Sequence, residues 1–440
     1  MLLEAGADRK YAFFEVRDLL HLLPFPVAKE MFFLLLRSGA HIIGENHHNI
    51  LHIMSFASED WIPVMKEIPG FQELVRMRDD NGRLPQHFAS SKKMYDFLAT
   101  SAGFKEDRPL DGPGELGDIE SVRQVLLHPK RDELIMVHPG DGLSRWCYTP
   151  RLEWVGGVMT SHHDIRLSLA PDGNEFVMLS KTLWGAELRR FDDLKVSRRL
   201  EGDGSWYFLN GNWAPGQEML MMTTKYEDRS ERGVTGVRLD SEQFSHFTME
   251  ELKIKSNEWD GNAISPEGKK WAFVIIRDDY YCLNVSLNVV PFPFREGERT
   301  RSCCFPVDVE SIQEVLGIVF HPDSDRVFFY FNAENRSFEE DRLIACSVSE
   351  NRILWDVTIQ SGVDRFLIPS IRSSWLVVKE EEIVCATPEG KLLFLDVETG
   401  DLLREVPVDG KLLAIGLHPD GDKLRVATDR QMHLVEWNGE

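Results

Sequence analysis

The sequence predicts a multi-domain chain, α then all-β: a helical repeat array over residues 1–104, a linker over 105–118 and an array of short strands over 119–440. Three observations predict it. A leucine-rich string near the N-terminus returns after 33 residues. A stretch rich in Pro, Gly and charge, Lys105 to Gly114, then breaks the helical spacing. Beyond it, short apolar runs alternate with tight turns in seven successive units.

The helical echo is Leu2-Leu3-Glu4-Ala5-Gly6-Ala7-Asp8 against Leu35-Leu36-Arg37-Ser38-Gly39-Ala40-His41. The apolar pair ends a helix, and Gly6 and Gly39 supply the left-handed residue after it. A second series is His21, His52 and His87, in Leu19-Leu20-His21, Ile50-Leu51-His52 and Pro85-Gln86-His87. Asp80-Asn81-Gly82 suits a tight turn before the third unit, and Pro85 suits a first helical turn.

These strings resemble the ankyrin repeat, with its Gly-x-Thr-Pro-Leu-His-x-Ala start and Leu-Leu-x-x-Gly-Ala-Asp end. The middle unit departs from it, carrying Asn49 and Ile50 where Thr and Pro are expected. The resemblance implies about three repeats over residues 1–104, entered in the second helix of the first with no capping unit before it. Gly6, His21, Gly39, His52, Gly82, Pro85 and His87 are then structural positions. Hairpin tips fall near His41–His48 and Arg78–Arg83, which makes His41, Glu45, Asn46, His47, Arg78, Asp79, Asp80 and Arg83 the candidate protein-binding residues. The repeated histidines read as turn-holding groups bonded to backbone. His47, His48 and His52 lack the carboxylate or cysteine that would complete a metal site.

Each β unit is an apolar strand, a small residue or His, a Pro, an acidic or Gly turn and a second apolar strand. It occurs at Leu127-His128-Pro129, Leu169-Ala170-Pro171-Asp172-Gly173, Trp213-Ala214-Pro215-Gly216, Ile264-Ser265-Pro266-Glu267-Gly268, Phe320-His321-Pro322-Asp323 and Leu417-His418-Pro419-Asp420-Gly421, with a Pro-less version at Lys379–Glu382. A mean spacing of about 48 residues is within reach of a four-stranded propeller blade. The pattern resembles the WD-repeat and quinoprotein-like β-propellers. Asp396-Val397-Glu398-Thr399-Gly400 is typical of their outer turn, and Trp355-Asp356 is one eponymous pair, although the Gly-His dipeptide is absent. A seven-bladed β-propeller is expected. Its last blade stops at a third strand, and Phe104–Glu120 is the candidate to supply the fourth.

Function is bounded mainly by exclusion. The 440-residue chain carries a net charge of −22, which repels phosphate backbones and argues against nucleic acid as a partner. It has no apolar run of about 18 residues, so no membrane partner is expected. Met1-Leu2-Leu3-Glu4-Ala5-Gly6 lacks the marks of a signal peptide, and six cysteines without a C-x-x-C pair favour a reducing, intracellular compartment. No phosphate loop, nucleophile elbow or His-Glu-x-x-His is found, and no cofactor is implied. Ser161-His162-His163-Asp164 is the most suggestive polar cluster, and reads more simply as a connection into the second blade. Trp206-Tyr207 and Tyr280-Tyr281 read as aromatics packed between blades. The expected function is a non-catalytic scaffold that binds other proteins. The alternative is a propeller enzyme of hydrolase or lyase type with an accessory ankyrin module.

Overall fold

The structure, a computed structural model, describes residues 24–37, 43, 48–80, 83–89, 91–103, 107–116, 122–138, 142–148, 151–160, 162, 165–180, 185–201, 206–213, 219–226, 232–239, 243–248, 258–279, 282–291, 303–307, 311–335, 338–361, 375–387 and 389–437. Local turn chemistry builds its β part. In Ala170-Pro171-Asp172-Gly173 the Gly173 amide donates to the Ala170 carbonyl at 2.9 Å, with φ at 82°. Glycine takes that left-handed conformation without a steric penalty. His321-Pro322-Asp323-Ser324 makes the same turn with Ser324 at φ 60°, held by its amide bond to the His321 carbonyl at 2.9 Å. Each such turn reverses the chain and sets two apolar strands antiparallel.

Seven sheets result. The first places β1 (Arg108–Pro109) beside β5 (Leu152–Met159), then β4 (Gly142–Tyr148), β3 (Glu133–Val137) and β2 (Gln124–Leu127). The second runs β6 (Arg166–Leu169), β7 (Glu175–Leu179), β8 (Gly185–Arg190) and β9 (Val196–Glu201). The third is β10 (Trp206–Trp213), β11 (Met219–Tyr226), β12 (Arg232–Arg238) and β13 (Gln243–Thr248). The fourth is β14 (Glu258–Ile264), β15 (Lys270–Asp279), β16 (Cys282–Pro291) and β17 (Cys303–Val307). The fifth is β18 (Ser311–Phe320), β19 (Arg326–Asn335), β20 (Phe338–Ser347) and β21 (Arg352–Ser361). The sixth is β22 (Leu376–Lys379), β23 (Glu382–Ala386), β24 (Lys391–Asp396) and β25 (Leu402–Pro407), and the seventh has β26 (Leu412–Leu417), β27 (Lys423–Thr428) and β28 (Met432–Glu436).

One edge strand of each sheet touches that of the next, from β2 through β6, β10, β14, β18 and β22 to β26, and β26 touches β2, so these are the innermost strands. The sheets are therefore blades around a closed ring, and the β half of the expected fold agrees with the structure. Side chains close the ring between blades seven and one. The fully buried Arg425 of β27 donates to the His128 and Arg131 carbonyls at 2.6 and 2.7 Å, and the Tyr148 hydroxyl donates to the Thr428 carbonyl at 2.7 Å. A continuous apolar core runs across this seam, from Val125, Leu134 and Met136 to Leu413, Leu424 and Val426.

Two expectations are corrected. The described residues do not build an ankyrin helical array. They contain 28 strands and five short α-helices: α1 (Phe25–Arg37), α2 (Ile50–Met54), α3 (Ile62–Lys66), α4 (Phe71–Leu74) and α5 (Lys92–Ala102). Pro63 sits in the first turn of α3, and Gly70 takes φ 76° before α4. Residues 59–74 are thereby cut into a 3-10 turn and two helices of about one turn each, too short for paired repeat helices. These helices pack on Phe32, Trp61, Met65 and Leu98 as one small cluster. The second correction concerns closure. The segment expected to complete the last blade joins the first instead, where Arg108 pairs with Met159 and Pro109 with Val158.

Candidate binding site

Two adjacent glycines shape the site. In the β4–β5 ladder Arg145 pairs with Gly156 and Trp146 with Trp154, so Val155 is the extra residue of a bulge. Paired residues project to one face of a sheet, and Arg145 reaches the Asp192 carbonyl of the second blade. Gly156 therefore faces that blade too. A Cβ on Gly156 would meet nothing within 4 Å. A Cβ on Gly157 would lie 2.3 Å from Trp154, 2.9 Å from the Leu143 carbonyl oxygen and 3.1 Å from Leu110. One glycine is required by close packing, and the other leaves a space.

That space is a cleft of about 460 Å3 between β5 and the turn from β8 to β9. Pro109, Leu110, Val155, Val158, Leu194 and Val196 give it apolar walls, and Asp107, Arg145, Asp192, Asp193 and Lys195 give it polar ones. Four of those five polar groups are engaged internally. Arg145 donates to Glu133 at 2.9 Å and Arg131 to Asp192 at 2.7 Å, Arg190 donates to Asp193 at 3.1 Å, and Arg189 to Asp107 at 2.5 Å. The hydrogen bond from Arg131 is the main reason that Asp192 titrates below the usual carboxylate range. Lys195 is exposed at the edge of the cleft.

Behind the cleft lies a buried charge network. Arg189 and Glu187 of β8 are fully buried, with Arg189 Nε donating to Glu187 at 2.9 Å. Arg199 donates to Glu187 at 3.1 Å, and His162 Nε2 lies 3.7 Å from it. The other ring nitrogen of His162 is 3.2 Å from the hydroxyl of Tyr95 on α5, and the two rings stack at 5.9 Å. Burial alone would raise the Glu187 carboxyl. The neighbouring His162 ring and the Arg189 charge outweigh it and hold the group at about 2. A carboxylate that stays ionised between cations is poorly matched to proton transfer near neutral pH. The network instead ties α5, the segment at Asp107 and the second blade together.

Three of the innermost strands carry apolar runs. β2 carries Val125–Leu127, β22 carries Leu376–Val378 and β26 carries Leu412–Ile415. Gln124, the polar residue of β2, bonds the Leu167 amide and carbonyl of β6 at 2.8 Å each. Among the described residues no group of three His, Cys, Asp or Glu side chains is placed to hold a metal ion.

The sequence-predicted residues are distributed differently from expectation. Gly6, His21, Gly39, His41, Glu45, Asn46, His47 and Gly82 lie outside the described residues, as do Ser161, His163, Asp164, Tyr280 and Tyr281. Asp79 is buried, accepting from the Arg83 amide and Arg83 Nε at 2.7 Å each and lying 2.9 Å from His48. Asp79 and Arg83 are thus an internal tie. Asp80 is exposed, and Arg78 is half-buried. His52 Nδ1 accepts from the Asn49 amide and His87 Nδ1 from the Leu84 amide, both at 3.1 Å, so each histidine fastens the start of its own short helix. Pro85 opens the 3-10 turn Pro85–Phe88. These are local caps and need no repeat array. Neither glycine of the cleft was singled out from sequence, although a Gly-Gly pair inside a strand pattern signals a bulge or a close backbone approach.

No protein-family model matches the chain, and neither does any curated protein sequence. By fold, 1192 solved chains match, so the architecture alone selects no function. One is a chain of Kuenenia stuttgartiensis hydrazine synthase, with a TM-score of 0.52 and 10% identity over 75% of this chain and 99% of that one. At that identity the likeness shows the fold alone. The WD-repeat resemblance is corrected with it, since this structural neighbour is not a WD-repeat protein. The Trp-Asp pair has ordinary packing roles here. Trp355 donates to the Val397 carbonyl of the next blade at 2.9 Å, and Asp356 pairs with Arg342 within its own. Among the described residues no helix is long and apolar enough to cross a membrane.

Proposed function

We propose that the ring is a protein-binding scaffold and that the cleft between its first two blades takes an apolar side chain of a protein partner. The observation that carries this reading is the cleft itself: apolar walls around Gly156, with polar groups largely satisfied within the chain. Such a site gains affinity by burying apolar surface, and its fixed charges select orientation. The net charge of −22 weighs against nucleic acid. A catalytic reading would lean on the likeness to a hydrazine synthase chain, which bears on fold only.

Gly156→Leu tests the reading, because a Leu side chain enters open space and fills the cleft. Affinity capture with wild-type and Gly156→Leu chains from the same cell extract should differ in at least one protein, depleted about tenfold or more by the substitution. Identical captured sets would sink the proposal.

A further inference from the structure

One buried side chain holds both sides of the cleft. Arg189 Nη1 donates to Asp107 at 2.5 Å and to the Leu194 carbonyl at 3.1 Å. Asp107 belongs to the segment that lines one side with β5, and Leu194 to the β8–β9 turn that lines the other. Arg189 Nε donates to Glu187 at 2.9 Å, so the segment, the turn and β8 meet at one guanidinium. The turn also has a conformation to lose. Leu194 has φ 59°, in the left-handed region that a bulky side chain occupies only when its surroundings impose it. Its amide donates to the Arg190 carbonyl at 3.0 Å, its carbonyl accepts from Arg189, and its side chain packs with Val137, Leu143, Phe176 and Phe191. A turn held against its own preference has two arrangements, and a contact that favours one shifts the balance between them.

The other end of this network lies in the helical cluster. Met94, Leu98 and Ala102 recur on one face of α5 and enter the core with Phe32 and Trp61. Tyr95, the next position round the helix, meets the ring instead, with its hydroxyl 3.2 Å from His162 and the His162 ring against Glu187. Glu187 in turn fixes Arg189. α5 reaches Arg189 along the chain as well, because Asp107 follows soon after its end. We propose that the helical cluster controls the cleft. Its docking through Tyr95 keeps Leu194 left-handed and Asp107 in place, and Arg189 is the positioning residue that transmits its state. The proposal deepens the scaffold reading and rests on it for the use of the cleft. With α5 seated, both sides of the cleft are fixed. With α5 lifted, Glu187 and Arg189 lose their backing, Leu194 relaxes to negative φ and the cleft changes shape. By linkage, an occupant that fits the fixed shape favours the seated helical cluster.

Hydrogen exchange and fluorine NMR on the full chain test the coupling without any partner. Tyr95→Phe removes the hydroxyl and keeps the ring stack on His162. It should speed exchange of the Leu194 and Leu110 amides about threefold or more, while Phe176–Leu179 of β7 keep wild-type rates. Those two amides report the turn and the segment, through their bonds to the Arg190 and Gly157 carbonyls. Trifluoromethyl-phenylalanine in place of Val155 puts a fluorine reporter in the cleft, and its resonance should shift or split on Tyr95→Phe. Arg189→Lys keeps the charge and loses the planar fork, and should give the same pattern more strongly. If it proves unfolded, Asp107→Asn takes its place and should release Leu110 and move the resonance. Unchanged exchange with an unchanged resonance in Tyr95→Phe would overturn the proposal. So would faster exchange spread equally over β7, because that marks general loosening. A cleft that responds to Tyr95→Phe, in a chain whose captured proteins are indifferent to Gly156→Leu, would uphold the coupling and fault the scaffold reading alone.

Discussion

At the scale of single residues, the two glycines of β5 make opposite demands. Gly157 is pressed by Trp154, the Leu143 carbonyl and Leu110, while Gly156 borders open space. Gly157→Ala should cost about 1–3 kcal/mol through overpacking. Gly156→Ala should stay within about 0.5 kcal/mol of wild type. Urea denaturation midpoints check both, and equal effects would contradict this reading of the strand. Glu187 gives a second contrast. Glu187→Gln leaves the buried Arg189 short of a counter-charge and should cost about 3–5 kcal/mol, far more than a surface Glu→Gln change.

At the scale of elements, the turns were the most legible part. Pro-Asp-Gly marks a reversal because Pro fixes one dihedral angle and Gly accepts a positive one, and the Ala170–Gly173 and His418–Gly421 turns close by that chemistry. The helical segment was less legible. The leucine string at 35–37 does end a helix, but the single-turn helices near Pro63 and Gly70 follow from breakers that a repeat template overlooks. The strand that joins the first blade was missed because a two-residue pairing at Arg108 and Pro109 has no periodicity to read. The cleft was missed for a related reason. Its walls come from residues 107–110, 155–158 and 192–196, and only the ring brings them together.

At the scale of the molecule, the ring depends on a seam without a shared sheet. Arg425→Met should leave the His128 and Arg131 carbonyls without their donor and cost about 2–3 kcal/mol, read from thermal denaturation. A smaller effect than that of an exposed arginine would contradict a role in closure. Acid should also loosen the fold. Burial holds His52, His128 and His138 down to about 4. The unfolded chain binds these protons near 6.5, so their contribution is full above that pH and falls as pH drops from 6.5 towards 4. Glu187, held at about 2, adds a contribution that is full above about 4.5 and lost towards 2. Stability measured by urea titration should therefore decline steadily below pH 6.5, by up to about 3 kcal/mol for each group at full titration. A profile that is flat from pH 7 to 4 would contradict the buried neutral histidines.

The most direct test of the scaffold reading is crosslinking from the cleft in living cells. Val155, 44% exposed at the bulge beside Gly156, can be replaced by a photoactivatable residue. The account predicts a discrete protein adduct after irradiation, lost when Gly156→Leu fills the cleft. An adduct that persists in the filled variant, or no protein adduct at all, would contradict it.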